Sequence, residues 1–190
     1  MQEFLEDVKK AVQVMKDGGI ILYPTDTIWG IGCDASNSAA VRRIYELKKR
    51  SDSKSMLSLI DSDAKLPYYV PDIPDVAYDL MDLAEKPLTI IYDNVRHLAP
   101  ELVAEDGSAG IRVTREAFSK ELCRRLGGAV VSTSANISGE PSAANFSEIS
   151  EVIRNGVDYV VEYRQSEQTR AVASGIIKLG SGGLVKVIRE

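Results

Sequence analysis

Apolar residues recur along the first stretch of the chain at helical spacing. Phe4, Leu5, Val8, Val12 and Met15 fall on one face, and Gly18-Gly19 supply the stop. The wholly apolar run 20–23 reads instead as a short strand buried on both faces. A second amphipathic helix is predicted over 38–49, with Val41, Ile44, Tyr45 and Leu47 on its apolar side, followed by a strand over 56–60. Pro74 opens a helix running through Val76, Leu80 and Leu83, and the β-prone segment 88–92 is a strand. A strand at 111–113, a helix at 116–126 ended by Gly127-Gly128, and a strand at 129–132 come next. A helix near 148–154 and strands near 158–163, 172–179 and 184–188 complete the pattern. Helices and strands alternate through two-thirds of the chain and the remainder is strand-rich, which predicts one α/β domain over 1–190 with helices packed on a mixed sheet.

Composition narrows what such a domain does. Among 190 residues, 44% are hydrophobic and 27% charged, as expected of a folded domain rather than a disordered chain. Lys and Arg total 23 against 28 Asp and Glu, so the net charge is -5, which disfavours a general nucleic-acid coat or a membrane-surface binder. No run approaches the roughly 20 apolar residues that span a bilayer, and the polar start MQEFLEDVKK is unlike a secretory leader, so a cytoplasmic location without membrane contact is expected. His97 stands alone, which excludes any site needing two histidines. Cys33 and Cys123 lack metal-binding spacing and are read as packing residues. Chemistry is left to Lys, Arg, Ser, Thr, Asn, Asp and the backbone.

Three loops carry those groups, each beside a short apolar strand; loops at the carboxyl ends of such strands are the usual ligand positions. YPTDTIWGIGCDA offers Thr25, Asp26 and Thr27, with Gly30 and Gly32 allowing close backbone approach; composition alone favours a plain turn with a capping Asp. ELKKRSDSKSM gathers Lys48, Lys49, Arg50 and Lys54. A helix C-terminus favours one or two cations, by about 0.3–1 kcal/mol each, but four invite an anion among them. VVSTSANISGEPSAAN presents Ser132, Thr133, Ser134, Asn136, Ser138 and Ser142, suited either to phosphate and ribose oxygens or to a solvated loop. Together the three suggest an anionic, nucleotide-like ligand held without histidine.

The strings YPTDTIWGIGCDA, Lys48-Lys49-Arg50 and Ser-Thr-Ser-Ala-Asn at 132–136, followed by Ser138-Gly139-Glu140-Pro141, resemble the YrdC-like domain of threonylcarbamoyl-AMP synthases. Both halves of the family's Lys-x-Arg and Ser-x-Asn signature are present, as Lys48/Arg50 and Ser134/Asn136. Differences lie at Ala84-Glu85-Lys86-Pro87, where the family often has Trp-Pro-Gly-Pro, at Ser51 in place of Pro, and at Ser174-Gly175 in place of Ser-Thr. The resemblance implies a twisted open mixed sheet with flanking helices around a large cleft. It implies that L-threonine, bicarbonate and ATP, with Mg²⁺, condense to threonylcarbamoyl-adenylate with release of pyrophosphate. The product would serve N6-threonylcarbamoylation of tRNA position 37, through downstream tRNA-modification proteins. By the same matching Lys48 and Arg50 are the catalytic pair. ATP falls to them with Lys54, Ser132, Ser134, Asn136, Ser142 and Arg189. Threonine falls to Thr25, Thr27, Arg112 and Ser174, with no protein metal site. The competing expectation is a non-catalytic paralogue that binds nucleotide or, weakly, RNA.

Overall fold

The computed structural model describes residues 4–49, 56–180 and 184–190. In chain order the elements are α1 (Leu5–Lys16), β1 (Ile21–Tyr23), β2 (Gly30–Gly32), α2 (Ser38–Lys48), β3 (Leu57–Ile60), α3 (Leu66–Tyr69), α4 (Val76–Leu83), β4 (Leu88–Tyr92), β5 (Ala109–Val113), α5 (Ala117–Leu126), β6 (Val130–Ser134), α6 (Glu151–Gly156), β7 (Tyr159–Val160), β8 (Gly175–Leu179) and β9 (Val185–Arg189). One nine-stranded sheet runs in the order β7-β1-β2-β6-β3-β5-β4-β8-β9. It is mixed: β1/β7, β3/β5 and β4/β8 are parallel, the other neighbours antiparallel.

The apolar spacing of α1 buries Val8, Ala11, Val12 and Met15, and α5 buries Phe118, Leu122 and Cys123. The two helices pack on each other, and α5 lies on β3 and β6. Phe4, Phe118 and Tyr163 close that layer with ring centroids 5.0–5.8 Å apart. Gly127, at φ 81°, ends α5 in the left-handed conformation that a side chain would strain. Cys33 and Cys123 are buried free thiols whose titration burial pushes far up, as packing residues require.

Several boundaries depart from the pattern. The largest departure is β2, where the reading from sequence placed a ligand loop. Gly32 sits there because a Cβ would meet the Val131 carbonyl at 2.5 Å and the Tyr23 ring at 2.6 Å, so its bareness serves strand packing rather than a ligand. Helix α4 starts after Asp75, two residues beyond Pro74. Helix α6 begins only at Glu151, β7 keeps two paired residues, and β8 starts at Gly175, because β4 offers partners only from Leu88 onward. Residues 161–174 instead run irregularly from β7 to β8. Among the described residues no helix is long and apolar enough to cross a membrane.

Candidate active site

A cleft of about 240 Å³ lies across one face of the sheet. Side chains two apart along a strand share a face, and this is how Thr89 and Ile91 of β4, Gly110 and Arg112 of β5, and Ser132 and Ser134 of β6 come to line it together. Gly30, Leu57, Ile176 and Arg189 contribute from β2, β3, β8 and β9, and Thr27, Trp29, Ser142 and Ser174 from connecting segments. The expectation of a site at strand ends is thereby corrected: most of its polar groups stand on the sheet face. Gly30 is bare because Ser132 Oγ and Thr25 Cγ2 already crowd its Cβ position at 3.3 and 3.4 Å.

At one end stands Arg112, 2% exposed, with Nη2 2.9 Å from Asp26 Oδ1 and 3.4 Å from Thr27 Oγ1. Its Nε is buried without a hydrogen-bond partner. Burial pushes the Asp26 carboxyl above its ordinary range even against the attraction of Arg112. Thr89 Oγ1 and Ser174 Oγ lie 3.0 Å apart beside it, and Arg189 Nε donates to the Ser174 carbonyl at 2.9 Å. The other end holds Ser132, Thr133 and Ser134, with exposed Ser142 at the mouth. Trp29 forms part of the wall and packs on Phe146, ring centroids 4.8 Å apart. Among the described residues the lining contains two arginines and no carboxylate, in a protein of net charge -5. Such a surface attracts anions.

The residues singled out in the sequence divide into three groups. Thr27, Arg112, Ser132, Ser134, Ser142, Ser174 and Arg189 line one cleft. Thr25, Lys48 and Asn136 do not line it. The Thr25 hydroxyl is spent inside its own loop, donating to the Ile28 carbonyl at 2.8 Å and accepting from Thr27 N–H at 3.0 Å. Lys48 is 1% exposed, and its ammonium donates to the Asn136 carbonyl at 2.6 Å and to the Ser134 carbonyl, while its own carbonyl accepts from Ser138 N–H at 2.8 Å. Main-chain dipoles therefore answer a charge that the sequence pattern referred to an anion. Asn136 Nδ2 donates to the carbonyls of Ile137 and Glu140 at 3.0 and 2.7 Å, shaping the turn, and its Oδ1 is buried without a hydrogen-bond partner. Arg50 and Lys54 fall outside the described residues. The cleft position of Thr89 and the pairing of Asp26 with Arg112 escaped the pattern reading, whereas Thr133, read as one hydroxyl of its loop, does line the cleft. Alternation along 88–92 was the available signal for Thr89.

A cationic, hydroxyl-lined cleft on one face of a mixed sheet marks this as an α/β domain with a single-sheet site. Comparison with known proteins narrows the class. The Sua5/YciO/YrdC family model, described as telomere recombination, matches residues 13–190, and the chain belongs to that family. It is 31% identical over 164 residues to the threonylcarbamoyl-AMP synthase of Coxiella burnetii (strain RSA 493 / Nine Mile phase I), covering 85% of this chain and 88% of that one. E. coli YciO shares the fold at TM-score 0.83 and 23% identity, covering 96% of this chain and 88% of that one. P. abyssi Sua5 in complex with L-threonine superposes at TM-score 0.80 and 22% identity, over 90% of this chain but only 50% of that longer one.

Proposed function

We propose that this protein is a nucleotidyltransferase that condenses L-threonine, bicarbonate and ATP to threonylcarbamoyl-adenylate and releases pyrophosphate. Carriage of that product to tRNA position 37 would fall to further tRNA-modification proteins. The supporting observation is the convergence of Arg112, Arg189 and a ladder of hydroxyls in one cleft that holds no carboxylate among its described residues. Membership alongside a relative named threonylcarbamoyl-AMP synthase, and the L-threonine complex of P. abyssi Sua5, support the same reading.

The chemistry sets the demands. The threonine amine attacks the bicarbonate carbon and water leaves; a carbamate oxygen then attacks the α-phosphorus as the bond to pyrophosphate breaks. Carbamates lose CO₂, so a cleft that holds both reactants in line removes much of the barrier. Buried Arg112, with Nε unspent, receives the threonine carboxylate, and Thr27, Thr89 and Ser174 flank it. Ser132, Thr133, Ser134 and Ser142 face the nucleotide, with Arg189 offsetting phosphate charge. Lys48 and Asn136 act by shaping the 134–140 turn. Arg50 and Lys54 are assigned to the phosphates by the family signature alone. The described lining offers Mg²⁺ hydroxyls and no carboxylate, and no cluster of three or more metal-binding side chains occurs among the described residues. Magnesium therefore fits as the ATP complex, held by phosphates and water, where it would neutralise phosphate charge.

The test is pyrophosphate release by the purified protein with ATP, Mg²⁺, bicarbonate and L-threonine. Release that stops when threonine is omitted is expected. Threonine-independent release overturns the threonine-condensing reaction, and no release at all overturns the enzyme in favour of a non-catalytic binder of nucleotide or RNA.

A further inference from the structure

We propose that Arg164 is a positioning residue for the threonine end of the cleft, bracing from outside the loop that presents Asp26 and Thr27 to Arg112. The inference rests on the function proposed above and goes beyond the residues the family signature names. Arg164 sits in the irregular segment 161–174 with φ 68°, a left-handed conformation that costs energy for any residue with a side chain. Its guanidinium joins three parts of the chain. Nη1 donates to the Thr25 carbonyl at 3.0 Å and lies 3.6 Å from Glu116 Oε1, and Nε meets both carboxylate oxygens of Glu167 at 2.9 Å. Glu116 is itself fixed, accepting from the N–H groups of Phe118 and Ser119 at the start of α5.

What hangs from this brace is the threonine end. The Thr25 hydroxyl closes the turn on Thr27 and Ile28, and the next residue is Asp26, 2.9 Å from Arg112. The segment that carries Arg164 also delivers Ser174 to the opposite wall, where it meets Thr89 at 3.0 Å and Arg189 at 2.9 Å. The wall formed by Thr25–Thr27 thus rests on Arg164 directly, whereas Ser132, Thr133 and Ser134 stand on β6.

Calorimetric titration with L-threonine, together with steady-state pyrophosphate release, tests this on wild type, Arg164→Ala and Arg164→Lys. Arg164→Ala is expected to weaken threonine binding and raise its KM about tenfold, with kcat and the KM for ATP within about twofold of wild type. Arg164→Lys should recover most of the loss, since an ammonium still reaches the Thr25 carbonyl; if the alanine variant fails to fold, Arg164→Gln, which keeps bulk but loses the charge, takes its place with the same expected loss. Unchanged threonine affinity in both variants overturns the brace alone, and so does a parallel loss of threonine and ATP affinity, the mark of general loosening. Failure of the wild type to bind L-threonine overturns the function of the site and this role with it.

Discussion

Arg112 and Asp26 show what one pair of residues settles. A guanidinium at 2% exposure requires a counter-charge, and Asp26 at 2.9 Å supplies it. Asp26→Asn removes that counter-charge but also relieves the buried carboxylate, whose upward-shifted titration marks a net cost to folding at pH 7, so the variant should keep stability at or above wild type. Urea denaturation monitored by Trp29 fluorescence would measure this. From sequence Arg112 looks like a charge at a strand exit and Asp26 like a turn cap; Arg112 drew notice through family resemblance and Asp26 only as one polar group among three. Arg112 and Thr27, which meet beside Asp26, are 85 positions apart, a separation that local pattern does not bridge.

Among the elements, α2 and the turn after β6 illustrate a different division. The apolar spacing at Val41, Ile44 and Tyr45 predicts α2 correctly, and Asn37 caps it by accepting from Ala40 N–H at 3.1 Å. The basic cluster at its end was legible too, but not its direction. Lys48 turns inward onto the carbonyls of Ser134 and Asn136, at 86 and 88 positions' separation. Lys48→Ala strips both acceptors of a buried charged donor, and each such loss costs about 1–3 kcal/mol. Thermal denaturation should show a large drop in Tm, and nucleotide affinity should fall with it as the turn loosens. A phosphate ligand without that structural duty would lose affinity and keep its Tm.

Across the whole molecule, surface ion pairs set the acid limit. Hydrogen bonding from Arg124, then Arg125, holds Glu121 at about 2 against an ordinary 4.5. Lys178, then Ser108, holds Asp106 well below its ordinary 3.8, and Arg43 lowers Asp158, which also accepts from Ile20 N–H and so ties α2 to the residue that leads into β1. These carboxylates are more acidic folded than unfolded, so their contribution is complete above about pH 4.5 and disappears as the pH falls toward about 2. Urea midpoints should be nearly flat from pH 7 to pH 5 and decline steadily below pH 4.5, with Glu121→Gln making the decline shallower.

What the chain determined by itself is the set of elements with strong periodicity. The stripes of α1, α2 and α5, the glycine stops and the apolar strands follow from local spacing, which chain geometry converts directly into buried faces. The signature residues also named the family before any coordinates. Tertiary structure alone decided that Gly30–Gly32 forms a strand, that Lys48 faces inward while Arg112 and Arg189 face the cleft, and that Asp26 meets Arg112 while Arg164 meets the Thr25 carbonyl. Each of these depends on partners brought together by the order of nine strands, and strand order is fixed by the sum of long-range packing rather than by any single window of sequence.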